Sequence, residues 1–128
     1  MILLAVTLAA LAGPSAPARP AAAPRSTAVG IGLTEWQVTL GRQRVPAGRL
    51  RFNVTNLGED GHDFVMRTRD GVIVTRLPEL AAGARRTATV KVRRPGRYVL
   101  FCDLPRHEAR GMKARLTVAR SAQPKRAG

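Results

Sequence analysis

Three side chains that bind soft metal ions lie close together near the C-terminal end of the sequence. Cys102, His107 and Met112 are separated by four residues at each step of the segment CDLPRHEARGM. A thiolate, an imidazole and a thioether on one short loop can surround a single ion. The predicted strands RYVLF and KARLTV flank this loop. Strands of a sheet would therefore hold both ends of the candidate site.

A second imidazole is available from His62, because the sequence contains only two histidines. His62 follows the turn-like segment NLGEDG and opens a predicted strand. It reaches the loop if the two strand ends are neighbours. Two His and one Cys with a weak axial thioether select copper for electron transfer. Zinc also binds Cys and His, but a thioether is not among its usual ligands. We therefore expect one copper ion on His62, Cys102, His107 and Met112.

Each of these residues also has a purely structural interpretation. A buried cysteine is commonly a small hydrophobic residue, His62 could be a hydrogen-bonded core residue, and His107 and Met112 could be ordinary loop residues. Met66 is a competing thioether, but it lies about 13 Å along a strand from His62 and is expected in the core. The only Cys and both His fall into one pattern, and this coincidence favours the metal site.

The arrangement resembles the cupredoxin family, particularly its plastocyanin-like and azurin-like members. The resemblance covers about Val29 to Val118. It includes the N-x-G-x-x-x-H-D-F segment from Asn56 to Phe64, the P-G-x-Y-x-x-x-C run from Pro95 to Cys102, and the C-x4-H-x4-M loop. The resemblance implies an all-β, Greek-key β-sandwich that carries one blue, type 1 copper site.

The resemblance also implies a role for each residue of the site. The two histidines and Cys102 would be equatorial ligands, and Met112 would be the axial ligand. The Gly61 carbonyl would lie near the opposite axial position, and the Asp63 amide would donate to the Cys102 sulfur. Family members often carry Asn or another small polar residue after the first His, so the charge of Asp63 is a departure that could alter the reduction potential.

Short apolar runs between turn signals independently predict an antiparallel sandwich or barrel. Between Arg49 and Asn56 the apolar Leu50, Phe52 and Val54 alternate with polar residues, as in a strand with one buried face. No stretch after the leader has a helical period, and the one possible turn of this kind is around Pro78 to Ala82. The remaining strands are predicted near residues 29–33, 37–40, 62–67, 72–76, 86–92, 97–102 and 113–118.

The two ends of the chain are predicted to lie outside the folded domain. Residues 1–18 are interpreted as a signal peptide, because the apolar run MILLAVTLAALA is followed by an A-x-A sequence. This run is shorter than the roughly 20 residues of a membrane span, although an uncleaved anchor is the alternative. Residues 19–26 form a flexible Pro/Ala-rich linker, 27–119 the single domain and 120–128 a disordered basic tail. We expect export to the periplasm or the exterior.

The formal net charge of +14 predicts a strongly positive surface. Such a surface favours binding to acidic redox proteins and association with an anionic membrane surface. The alternative is that the basic residues only solvate the surface and have no dedicated partner. Arg106, Arg110 and Lys113 lie beside His107, the expected electron entrance. Nucleic acid is disfavoured because stacking aromatic residues are scarce. We expect a monomer.

These features favour an electron-transfer protein over an enzyme. Multicopper oxidases and nitrite reductases need further histidines for a second copper centre, and both histidines are already used. A two-copper centre would need a second cysteine in the loop. The main alternative is an envelope protein that stores, buffers or delivers copper without a redox partner.

Overall fold

The computed structural model describes residues 12–19 and 25–121. These residues contain strands and no helix, and therefore no helix that could span a membrane. The predicted signal peptide and basic tail fall largely outside the described residues. The strands are β1 (Thr27–Thr34), β2 (Gln37–Leu40), β3 (Arg44–Pro46), β4 (Gly48–Asn56), β5 (His62–Thr68), β6 (Ile73–Leu80), β7 (Arg85–Val92), β8 (Gly96–Phe101) and β9 (Lys113–Ala119).

The strands form two sheets, with the orders β2-β1-β4-β7 and β3-β9-β8-β5-β6. The all-β prediction is confirmed. The expected antiparallel pairing holds for most neighbouring strands, but β1 pairs with β4 and β3 pairs with β9 in parallel. Parallel neighbours need a crossover connection. Here the chain leaves the first sheet through β3, which belongs to the second sheet, before it returns as β4.

The core lies between the two sheets and is mainly aliphatic. Leu50, Phe52 and Val54 of β4 are buried, as their alternation predicts. Phe52 meets Phe64 of β5 at a ring-centroid distance of 5.4 Å, which joins the two sheets. Met66 is fully buried in the same core. The prediction that Met66 is a core residue is therefore confirmed.

The possible turn around Pro78 to Ala82 lies further along the chain, where the Ala84 amide donates to the Ala81 carbonyl at 2.9 Å, because β6 continues through Pro78 to Leu80. Proline lacks an amide hydrogen but is tolerated at the edge of a sheet, and β6 is an edge strand. The register shifts beside it, since His62 pairs with Leu80 and Phe64 pairs with Leu77. This bulge lets β6 accompany β5 as far as the residue that opens the candidate site.

The sheet order brings the proposed ligands to one end of the sandwich. β5 lies next to β8 in antiparallel pairing, and β8 pairs with β9 up to Phe101 and Lys113. One end of this sheet therefore contains the start of β5, the end of β8 and the start of β9. The two-residue connection between β1 and β2 lies at the same end, after the pair Thr34 and Gln37.

Candidate metal centre

Three potential metal ligands converge at this end of the sandwich. The ligand atoms of His62, Cys102 and His107 all lie within 4.8 Å of one another. The Nδ1 atoms of the two histidines are 3.3 Å apart, and the Cys102 sulfur is 3.5 Å from Nδ1 of His107. His62 and Cys102 are buried, whereas His107 is partly exposed. The structure thus brings together residues that are 40 and 45 positions apart in the chain.

The spacing of these atoms suits one ion. Donors that each sit about 2.0 to 2.3 Å from a shared metal are separated from one another by distances of this size. A buried thiol and two imidazole nitrogens form a soft, low-coordinate set, which favours copper or zinc over magnesium or calcium. The residues present therefore fit a soft metal ion.

Met112 closes the loop that carries two of these ligands. The Cys102 amide donates to the Met112 carbonyl at 3.1 Å, and the Met112 amide donates to the His107 carbonyl at 3.1 Å. The Met112 side chain is fully buried within the core cluster. Its main chain therefore fixes the loop between Cys102 and His107, and its sulfur remains a predicted axial ligand.

The loop is also held from outside by charged side chains. Arg67 of β5 donates to Glu108 at 2.6 Å, and the same guanidinium lies 4.2 Å above the Phe101 ring. Arg76 of β6 contacts Asp103 at 3.1 Å, although both of these side chains are about half exposed. The tighter Arg67 contact joins the loop to the strand that begins with His62.

The NLGEDG segment before His62 is organised by Asn56, the buried last residue of β4. The Asn56 amide nitrogen donates to the carbonyls of Asp60 and Leu80, at 2.7 and 2.9 Å. Its side-chain oxygen accepts the Gly58 amide at 2.9 Å. Such bonds from an Asn side chain to nearby backbone groups stabilise a turn. Asn56 therefore holds the turn that delivers His62 to the site.

The Cys102 thiol lies in a poorly solvated position. Burial raises its pKa to about 11, and the nearby negative charge of Asp63 also raises it. The backbone amides of Leu104 and Asp63 donate to the sulfur and act in the opposite direction. The Asp63 amide thus takes the role that the family resemblance implies. Its carboxylate accepts the Asp103 amide at 2.6 Å, which fixes the chain immediately after Cys102.

Glu35, which belongs to none of the sequence motifs, contacts the outer side of His62. A Glu35 carboxylate oxygen lies 2.8 Å from His62 Nε2, and the carboxylate also accepts the amides of Glu59 and Asp60. The Asp60 amide and the amide of Glu35 itself, with smaller contributions from His62 and Glu59, lower the pKa of this carboxyl to about 2. The only feature of the sequence that distinguishes Glu35 is that no acidic residue precedes it.

The neighbouring Trp36, also outside those motifs, contacts the other histidine. Its ring meets the His107 ring edge-on, with centroids 4.9 Å apart. The Arg110 guanidinium lies 4.4 Å from the Trp36 ring centroid on the solvent side of the site. Trp36 is the only tryptophan in the sequence. The connection between β1 and β2 therefore touches both histidines, one through each of its two residues.

The sequence profile of the cupredoxin-like domain matches residues 1–118 of this chain. The chain belongs to this family. No curated protein sequence matches it. The family assignment and the two-sheet architecture together confirm the cupredoxin-like Greek-key sandwich that the residue motifs indicate.

Several solved structures share the fold of this cupredoxin-like chain. Auracyanin from Roseiflexus castenholzii is 24% identical, with a TM-score of 0.62, and the match covers 75% of this chain and 99% of that one. Auracyanin A, described as a "blue" copper protein from Chloroflexus aurantiacus, is 14% identical, with a TM-score of 0.60 and coverages of 74% and 100%. Rusticyanin from Thiobacillus ferrooxidans is 16% identical, with a TM-score of 0.63 and coverages of 76% and 79%. At these identities the likeness concerns the fold.

Proposed function

We propose that this protein is an exported one-electron carrier that holds one copper ion through His62, Cys102, His107 and Met112. The observation that carries the proposal is the convergence of the buried Cys102 thiol and two imidazole rings, whose ligand atoms lie within 4.8 Å of one another. Membership of the cupredoxin-like family supports copper as the metal. The apolar N-terminal run supports export. We infer no enzymatic activity.

The fold suits electron transfer because it holds the donors in fixed positions. Copper bound there supplies a one-electron couple between its +1 and +2 states. His62 is anchored by β5, and Cys102 and Met112 are joined by a backbone hydrogen bond where β8 and β9 part. Rigid donors of mixed hardness match neither oxidation state fully. Because the strands and the loop hold these residues, they would keep nearly the same positions around copper in either oxidation state.

His107 is the proposed entrance for the electron. It is partly exposed, whereas His62 and Cys102 are buried. Arg106 and Arg110 of the same loop, and Lys113 at the start of β9, are exposed, and Arg110 stacks on Trp36 beside His107. Positive side chains at this position favour encounter with an acidic redox protein. The same charge supports weaker association with an anionic membrane surface, and we propose that the carrier is monomeric.

The decisive experiment is the visible spectrum of the purified protein after addition of copper(II). We expect an intense blue or green thiolate-to-copper absorption, because Cys102 is the only cysteine. Cys102→Ser is expected to abolish the colour. Met66→Leu, which alters the thioether buried in the core, is the matched control and is expected to keep it. Quenching of Trp36 fluorescence reports metal binding independently of colour.

The electron-transfer and storage functions are separated by two further measurements on the coloured protein. An electron carrier shows reversible one-electron voltammetry and slow loss of copper to a chelator. Rapid loss of copper without electron exchange would instead indicate storage or delivery. Colour that survived Cys102→Ser would mean that the metal lies elsewhere.

A further inference from the structure

The connection between β1 and β2 places a carboxylate behind a proposed metal ligand. Glu35 Oε1 lies 2.8 Å from Nε2 of His62, while Nδ1 of the same ring faces His107 at 3.3 Å. The two ring nitrogens thus point to different partners, one to the carboxylate and the other into the metal centre. The His62 ring is fully buried, whereas the Glu35 side chain is 27% exposed, so water can reach the carboxylate but not the ring.

The contact with Glu35 determines which ring nitrogen of His62 carries hydrogen. An ionised carboxylate only accepts hydrogen bonds, so His62 Nε2 donates. In the neutral ring the hydrogen on Nε2 leaves the lone pair on Nδ1. Because Nδ1 faces Nδ1 of His107, which itself contacts the Cys102 sulfur, the lone pair points into the cluster that would hold the ion. Histidine ligands commonly make an outer hydrogen bond of this kind to a carboxylate or carbonyl.

Glu35 is itself confined. Its carboxylate accepts the Glu59 amide at 3.0 Å and the Asp60 amide at 2.9 Å. It also packs against Gly58 so closely that a Cβ atom at that position would collide with it. These contacts join the Glu35 side chain to the turn that precedes His62. A carboxylate held on three sides can orient an imidazole ring, whereas a free side chain could not.

We propose that Glu35 is a positioning residue that fixes the tautomer and orientation of His62 and whose negative charge favours the higher oxidation state of the bound metal. The inference rests on the proposed function for its redox part. Its tautomer part concerns the metal-free protein and stands separately. Outer hydrogen-bond partners of this type typically change metal affinity by about 10- to 100-fold.

The test compares three variants. Glu35→Gln keeps an oxygen that can accept the His62 hydrogen but removes the charge, and Glu35→Ala removes both. Glu59→Gln removes a charge from the same turn, and it is a matched control because Glu59 contacts Glu35 through its backbone amide. The melting temperature of each metal-free variant is measured first, so that any unfolding caused by Glu35→Ala is detected.

The first readout is the nitrogen NMR spectrum of the His62 ring in metal-free protein. The wild type and Glu35→Gln are expected to show the tautomer with hydrogen on Nε2, and Glu35→Ala is expected to lose this preference. The second readout is copper(II) affinity, followed by Trp36 fluorescence. In Glu35→Gln the affinity for copper(II) is expected to fall about tenfold more than the affinity for copper(I). This difference corresponds to a rise of about 59 mV in the reduction potential.

The two parts fail in different ways. An unchanged His62 tautomer in folded Glu35→Ala would overturn the positioning role. Equal shifts of the reduction potential in Glu35→Gln and Glu59→Gln would overturn the specific role of the Glu35 charge, because any nearby surface charge would then change the potential by the same amount. Wild-type protein that binds copper without the thiolate absorption would overturn the proposed function and leave the tautomer result valid.

Discussion

Replacing Asp63 by Asn tests how the charge beside Cys102 sets the reduction potential. The Asp63 side chain is buried, and its Oδ1 accepts the Asp103 amide at 2.6 Å. An Asn side chain keeps an oxygen acceptor for this amide, so the loop after Cys102 is expected to remain in place. The substitution therefore removes a negative charge with little change of shape.

The size of the effect follows from Coulomb's law. Asp103 directly follows Cys102, so the Asp63 carboxylate lies on the order of 7 Å from an ion held by the sulfur. One unit of charge at this distance contributes about 2 kcal/mol at an effective dielectric constant of about 20. For a one-electron couple this corresponds to roughly 100 mV. Loss of the negative charge disfavours the more positive copper(II), so the potential is expected to rise.

The assay is voltammetry of wild type and Asp63→Asn at neutral pH and several salt concentrations. Asp103→Asn is the matched control, because Asp103 is the next residue after Cys102 and its side chain is 48% exposed. Its effect is expected to be smaller and to fade with salt, since solvent ions screen exposed charges more than buried ones. A fall in potential for Asp63→Asn, or an equal rise in both variants, would refute the reasoning.

Two further predictions concern the axial ligand and the charged surface. Met112→Leu keeps a similar side-chain volume and is expected to lower the folding stability by less than about 1.5 kcal/mol. Colour and bound copper should therefore remain, while voltammetry shows a higher reduction potential. Loss of all copper would instead make Met112 a primary ligand. Reversing Arg106 and Lys113 to Glu should slow electron exchange with an acidic redox protein in stopped-flow measurements and flatten its salt dependence. The same reversal at exposed Arg49 and Arg51, at the far end of β4, should change the rate less. If both reversals slowed the reaction equally, the positive charge would serve solubility and not the docking of a partner beside His107.

Much of the fold could be predicted because strand signals are local. The alternation of Leu50, Phe52 and Val54 reflects the two-residue period of a strand, whatever the rest of the chain does. The spacing of Cys102, His107 and Met112 is likewise set by the covalent chain, and a loop between two strands holds them together. The chain has only one Cys and two His, so the choice of donors was narrow.

Pairings between distant segments could not be predicted in this way. The parallel alignment of β1 with β4, and the continuation of β6 through Pro78, depend on which strands become neighbours and which lie at an edge. A proline in isolation reads as a turn signal. Only its place on an edge strand, where its missing amide hydrogen costs no sheet hydrogen bond, makes it compatible with β6.

The sequence by itself determined the donor types, the loop that carries three of them and the strands on either side, because these depend on residue type and short spacing. The tertiary structure alone decided what surrounds the donors. Glu35 reaches His62 across 27 positions and Trp36 reaches His107 across 71, and both do so from a hairpin of the opposite sheet. No local period encodes such contacts, since they arise only when the two sheets pack and their ends meet.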